Sequence, residues 1–171
     1  MTLPSPINHQ DFLLDLDTSK LPALESELLP GVALWPLFLD PENGVWVLRA
    51  RFQPGTTLPM HFHTGTVHFY TTSGCWCYLE YPEQRQTAGC YLYEPGGSVH
   101  TFHVPEDAGE PADGFMVVSG CNVNFDAEGN FINIMDAGWI EQAVLEAARA
   151  QGLGVPRYIK PRAGAGFSDE G

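Results

Sequence analysis

The sequence predicts an all-β barrel or sandwich followed by a C-terminal helix, and three observations carry the prediction. From Gly31 onward, short apolar runs recur at close spacing, punctuated by Gly, Pro, Asn and Asp. Near the C-terminus, Trp139, Ala143, Val144, Ala147 and Ala148 recur at helical spacing instead. The chain's 171 residues fit one domain large enough to bury its own core.

The elements follow in order. Residues 1–30 read as an N-terminal arm: Pro4 and Pro6 keep its start extended, and the stretch around Ser19 to Leu28 could form an N-capped helical turn. Residues 31–136 carry the strands: Val32 to Leu39, Val45 to Phe52, Val67 to Thr72, Cys75 to Tyr81, Gly89 to Glu94, Val99 to Val104, Phe115 to Ser119 and Asn122 to Phe125. Pro41-Glu-Asn-Gly44 and Asp126-Ala-Glu-Gly129 supply turns between them. The polar stretch Pro105 to Asp113, with two prolines, reads as a surface loop that could act as a lid. Residues 137–171 hold a helix from about Trp139 to Gln151, stopped by Gly152, and a Pro- and Gly/Ala-rich tail expected to be extended and partly disordered.

Composition excludes several function classes. Lys and Arg total 8 against 21 Asp and Glu, a formal charge of −13, which repels nucleic acid and anionic membrane surfaces. Cys75, Cys77, Cys90 and Cys121 lack zinc-knuckle or redox C-x-x-C spacing and read as free thiols in a reducing cytosol. With no secretory signal and no span-length apolar run, the expected location is the cytoplasm.

The most informative residues are histidines. His61-Phe62-His63 on a strand places two imidazoles on one face, about 6.6 Å apart along the chain, so both can converge on one cation. A third ligand has to come from a distant strand. His100 is the best candidate, because Pro95-Gly96-Gly97 makes a tight turn just before the extended run Ser98-Val-His-Thr-Phe-His103.

The stretches Gly55 to His63 and Gly89 to His100, read as G-x5-H-x-H and G-x5-P-x-G-x2-H, resemble the two signature motifs of the cupin superfamily. The resemblance implies a double-stranded β-helix, or jelly-roll, barrel and a metal held by His61, His63 and His100. Gly74 stands where the first motif ends in glycine, but Val67 occupies the position of the motif's glutamate, with His68 at the one-residue-longer spacing. Val104 stands where the second motif has asparagine. A histidine-only set resembles the diketone dioxygenases and, in the stretch from His61 to Glu80, the 2,4'-dihydroxyacetophenone dioxygenase group.

That resemblance implies a mononuclear non-haem Fe(II) dioxygenase that cleaves a C–C bond of a hydroxyketone or β-dicarbonyl compound with O2. Three imidazoles do not fix the metal, and zinc or nickel can stand in a purified protein. The alternatives are a zinc-binding, non-catalytic sensor like the cupins of anti-sigma factors, and a metal-dependent isomerase or hydrolase. Cupins also commonly dimerise through sheet edges and exchanged arms, so a homodimer or homotetramer is expected.

Four further residues are candidates for the site or its surroundings. Glu80 shares a strand face with Trp76 and Tyr78; if that face looks inward, Glu80 is a buried carboxylate and the candidate catalytic base, and if outward, it is solvated. Glu94 either orients a histidine or stands exposed at the turn. His68 and His103 read as packing, surface or outer-sphere residues.

Overall fold

The computed structural model describes residues 14–161. Thirteen strands precede one helix among them: β1 (Leu24–Glu25), β2 (Val32–Asp40), β3 (Val45–Phe52), β4 (Met60–His63), β5 (Val67–Ser73), β6 (Cys75–Tyr78), β7 (Tyr81–Thr87), β8 (Tyr91–Glu94), β9 (Val99–His100), β10 (Phe102–His103), β11 (Ala112–Ser119), β12 (Asn122–Phe125), β13 (Phe131–Met135) and α1 (Ala137–Ala150). They form a six-stranded sheet in the order β1-β2-β3-β11-β5-β8, a four-stranded sheet β13-β12-β4-β9 and a three-stranded sheet β10-β6-β7. This is the expected jelly-roll barrel with a C-terminal helix.

Alternation along the strands decides what faces inward. On β3, Trp46, Leu48, Ala50 and Phe52 are buried while the residues between them are half-buried. They join Val67 and Phe69 of β5, Trp76 of β6, Phe102 of β10 and Val118 of β11 in one core cluster. Aromatic rings pack face and edge there: Trp76 stacks on Phe102 at 4.7 Å between centroids and meets Phe69 edge-on at 5.0 Å. The four-stranded sheet differs, because its buried side chains are polar: His61, His63 and His100, with Asn122 and Asn124 of β12. One wall of the barrel is therefore built to hold polar chemistry.

Helix α1 starts on the Asp136 cap, whose Oδ1 accepts the Trp139 N–H at 2.7 Å. Its face of Ile140, Ala143, Val144, Ala147 and Ala148 is buried. Gln151 ties its end to β1, its side chain accepting from Glu25 N–H and donating to the Ala23 carbonyl.

Several expectations are corrected. The stretch from Ser19 to Leu28 is not one helical turn: a 3-10 turn covers Thr18–Lys20, capped by Asp17, and Leu24 then pairs with β2. The apolar Leu24 is more stable buried at a sheet edge than on an isolated turn. The run from Cys75 to Tyr81 breaks at a turn over Leu79 and Glu80, and the polar segment after it forms β7, whose residues are mostly exposed and so carry no apolar signal. As far as Lys160 the tail is extended but packed: Ile159 pairs with the edge of β2, bonding Leu37 and Leu39 backbone groups at 2.9 and 3.0 Å. Residues 1–13 of the expected arm and the tail from residue 162 lie outside the described residues.

Candidate metal centre

Strand geometry brings the three histidines together. His61 and His63 lie two apart on β4, and β9 pairs with β4 so that His100 stands directly opposite His61. The turn before β9 is closed by the Gly97 N–H donating to the His63 carbonyl at 2.8 Å, with Gly97 at φ 83°, a conformation a side chain would strain. One ligand atom from each histidine falls within 4.8 Å of the others. All three are buried, with relative exposures of 3–6%. Such a cluster could hold a divalent metal.

The electrostatics suit neutral ligands. Burial pushes the His61 imidazole down to about 4, and the neighbouring His100 and His63 add to that against the Pro59 carbonyl. His61 Nδ1 lies 2.7 Å from that carbonyl, which fixes the N–H there and leaves Nε2 as the lone-pair nitrogen. Burial likewise holds His100 below the usual histidine range.

Glu94, at the end of β8, is the residue that sequence reasoning underrated. It is 7% exposed, not a surface turn carboxylate, because β8 alternates outward Tyr91 and Tyr93 with inward Leu92 and Glu94. One of its oxygens accepts the Tyr78 hydroxyl, and the other lies 3.2 Å from both His63 Nε2 and His100 Nε2. Burial would raise its carboxyl, but His63, His100 and Tyr78 outweigh that and leave it below the usual glutamate range. Burial and the Glu94 charge together push the Tyr78 phenol well above its ordinary value, so it stays a donor. The parity of Leu92 and Glu94 was a legible signal.

A cavity of about 60 Å³ opens onto these groups, walled by Val67, Phe69, Trp76, Phe102 and Met116, with Asn122 at its edge. A more open groove of about 520 Å³ lies beside β1 and the end of α1, with Glu25, Glu27 and Gln151 in its lining and no histidine. The histidine cluster opens onto the smaller cavity.

Residues 10–110 match the family described as the ChrR cupin-like domain. The chain belongs to this cupin family. A solved cupin-like protein of unknown function from Ralstonia eutropha JMP134 is 50% identical, with a TM-score of 0.86 over 95% of this chain and 100% of its own. An RmlC-like cupin from the same organism is 26% identical, covering 84% of this chain and 90% of its own, at a TM-score of 0.75. The acetylacetone dioxygenase of Acinetobacter johnsonii shares the fold at 18% identity and a TM-score of 0.68, over 86% of this chain and 99% of its own. No curated protein matches the chain.

In this cupin, the remaining candidates lie outside the cavity. Glu80 sits in the exposed turn after β6, where its carboxylate accepts the Thr101 N–H at 2.9 Å. Of its two readings the solvated one is observed, and its grouping on one strand face with Trp76 and Tyr78 is corrected: the strand ends at Tyr78, so the alternation does not extend to Glu80. His68 points outward and its Nδ1 lies 2.7 Å from the Tyr91 hydroxyl, while His103 Nδ1 lies 2.8 Å from the Thr57 hydroxyl. Neither ring joins the cluster.

Proposed function

We propose that the protein is a mononuclear non-haem iron dioxygenase that cleaves a C–C bond in a small, enolisable dicarbonyl or hydroxyketone. The observation that carries this reading is the set of buried imidazoles His61, His63 and His100 facing a cavity walled in part by Phe69, Trp76 and Phe102. Fe(II) held there would supply a Lewis-acidic, redox-active centre for a chelating substrate and dioxygen.

The chain's own residues prepare that chemistry. Keeping His61 neutral far below pH 7 leaves its lone pair free for the ion. The aromatic wall excludes water from the reacting groups. Tyr78 fixes the Glu94 carboxylate beside the histidines, so a charge stands ready without reorganisation. No proton transfer is assigned to Glu80, which faces solvent. The size of the cavity bears on substrate: about 60 Å³ is far below the roughly 300 Å³ of an ordinary ligand pocket, which favours a compact β-dicarbonyl over an aromatic hydroxyketone. The same reading places the protein in the cytoplasm as a homo-oligomer.

A second reading is a zinc-binding domain without turnover. What favours it is Glu94 beside three histidines, a donor set that could close around a structural zinc ion. Anaerobic Fe(II) loading followed by oxygen uptake on β-diketones and hydroxyacetophenones separates the two. Uptake coupled to substrate loss supports the dioxygenase; none with any substrate, in protein that purifies with one zinc per chain, supports the second reading.

A further inference from the structure

The geometry points to Glu94 as a fourth ligand of the metal centre, supplying from β8 the carboxylate that the cupin motif would place on β5. The inference rests on His61, His63 and His100 forming a metal site, and it deepens that site.

The register carries it first. Val67, in the motif's glutamate position, is the direct cross-strand partner of Glu94, and both side chains point inward. Adjacent strands lie only about 4.8 Å apart, so a carboxylate on either can reach the same point in the barrel. Valine at one position and glutamate at the other amounts to an exchange of sides.

Distances carry it further. Donors held about 2.1 Å from one ion lie about 3.0 Å apart along an octahedral edge and about 3.4 Å apart along a tetrahedral one. The Glu94 oxygen is 3.2 Å from His63 Nε2 and 3.2 Å from His100 Nε2, between those values. A direct charge-assisted hydrogen bond would be shorter, about 2.7–2.9 Å. Among the described residues, moreover, that Glu94 oxygen and His100 Nε2 have no hydrogen-bond partner at all, although both are buried. A buried carboxylate oxygen and a buried imidazole nitrogen that face each other across 3.2 Å without a hydrogen bond are an arrangement that a cation resolves. Tyr78 binds the other carboxylate oxygen and so aims this one.

With Glu94 bound, the centre would carry one anionic ligand and leave one position fewer for other ligands than three histidines alone.

The test uses zinc on the full-length protein. Zinc affinity is measured by chelator competition and carboxylate ligation by zinc-minus-apo infrared difference spectra, for wild type, E94Q, Y78F and V67E/E94Q. E94Q is expected to bind zinc at least tenfold more weakly and to lose the zinc-induced carboxylate bands. Y78F keeps those bands, and V67E/E94Q regains both bands and affinity. Should E94Q fail to fold, E94D keeps the charge but shortens the reach, and the same tenfold loss is expected. Wild-type carboxylate bands in E94Q, or undiminished affinity in E94D, overturn the inference. If H63A loses zinc while E94Q binds it normally, the histidine centre stands without Glu94; if wild type binds no zinc, both fall.

Discussion

Asp113 should be the costliest surface-proximal carboxylate to remove, because it clamps the sheet that walls the cavity. It is 3% exposed and takes a two-point contact from Arg49, Nε at 2.9 Å and Nη2 at 2.8 Å, with Arg51 Nε at 3.0 Å. The Thr72 hydroxyl adds a bond at 3.2 Å from β5, so one carboxylate joins β3, β11 and β5. Breaking a buried ion pair costs about 3–5 kcal/mol, and water reaching the arginines reduces that. D113N should therefore cost about 2–3 kcal/mol at pH 7, or about 4–12 °C in Tm for a chain of this size. The pH dependence fixes the cause. Burial raises the Asp113 carboxyl, but Arg49 and then Arg51 outweigh it and hold it below the ordinary aspartate range. A group depressed in the folded state stabilises above its unfolded value, about 3.9, and that stabilisation is lost as pH falls through the folded value. The gap between the urea midpoints of the two proteins should hold from pH 7 to about pH 4 and narrow from there toward pH 3. A gap that stays constant down to pH 3, or is under about 0.5 kcal/mol at pH 7, would refute the argument.

Three other substitutions probe the site and its supports. H63A should reduce bound metal from about one ion per chain to a small fraction after dialysis, read by elemental analysis, while far-UV circular dichroism stays unchanged. G74A should cost about 2–3 kcal/mol in urea unfolding, because Gly74 sits at φ 70° and an added Cβ would meet the Pro111 carbonyl at 2.2 Å. F69L trims a ring that walls the cavity of about 60 Å³, and kcat/KM for hydroxyacetophenones should rise relative to that for β-diketones.

Much of the barrel was legible because its strands are apolar and alternate. Val45–Phe52 and Asn122–Phe125 begin and end where the sequence places them, and the paired spacings that mark His61, His63 and His100 act through strand parity and a ladder that sets His100 opposite His61. What the pattern missed has physical causes. β7 (Tyr81–Thr87) is polar on both faces, and β13 (Phe131–Met135) is mostly exposed, so neither shows one buried stripe. A period of two extended past the end of β6 groups Glu80 with Trp76 and Tyr78, but a turn resets the alternation there. Glu94 was underrated because the missing glutamate was sought along one strand, and sheet pairing, which puts Val67 and Glu94 side by side, is not written in linear spacing.

The central claim is that buried histidines His61, His63 and His100 serve oxygen-dependent C–C cleavage. Turnover of a small β-diketone under ¹⁸O₂ by the iron-loaded protein, with mass spectrometry of both fragments, tests it most directly. The account predicts one labelled oxygen in each fragment and no turnover under nitrogen. Product formed without oxygen, or fragments carrying only oxygen from water, would contradict it.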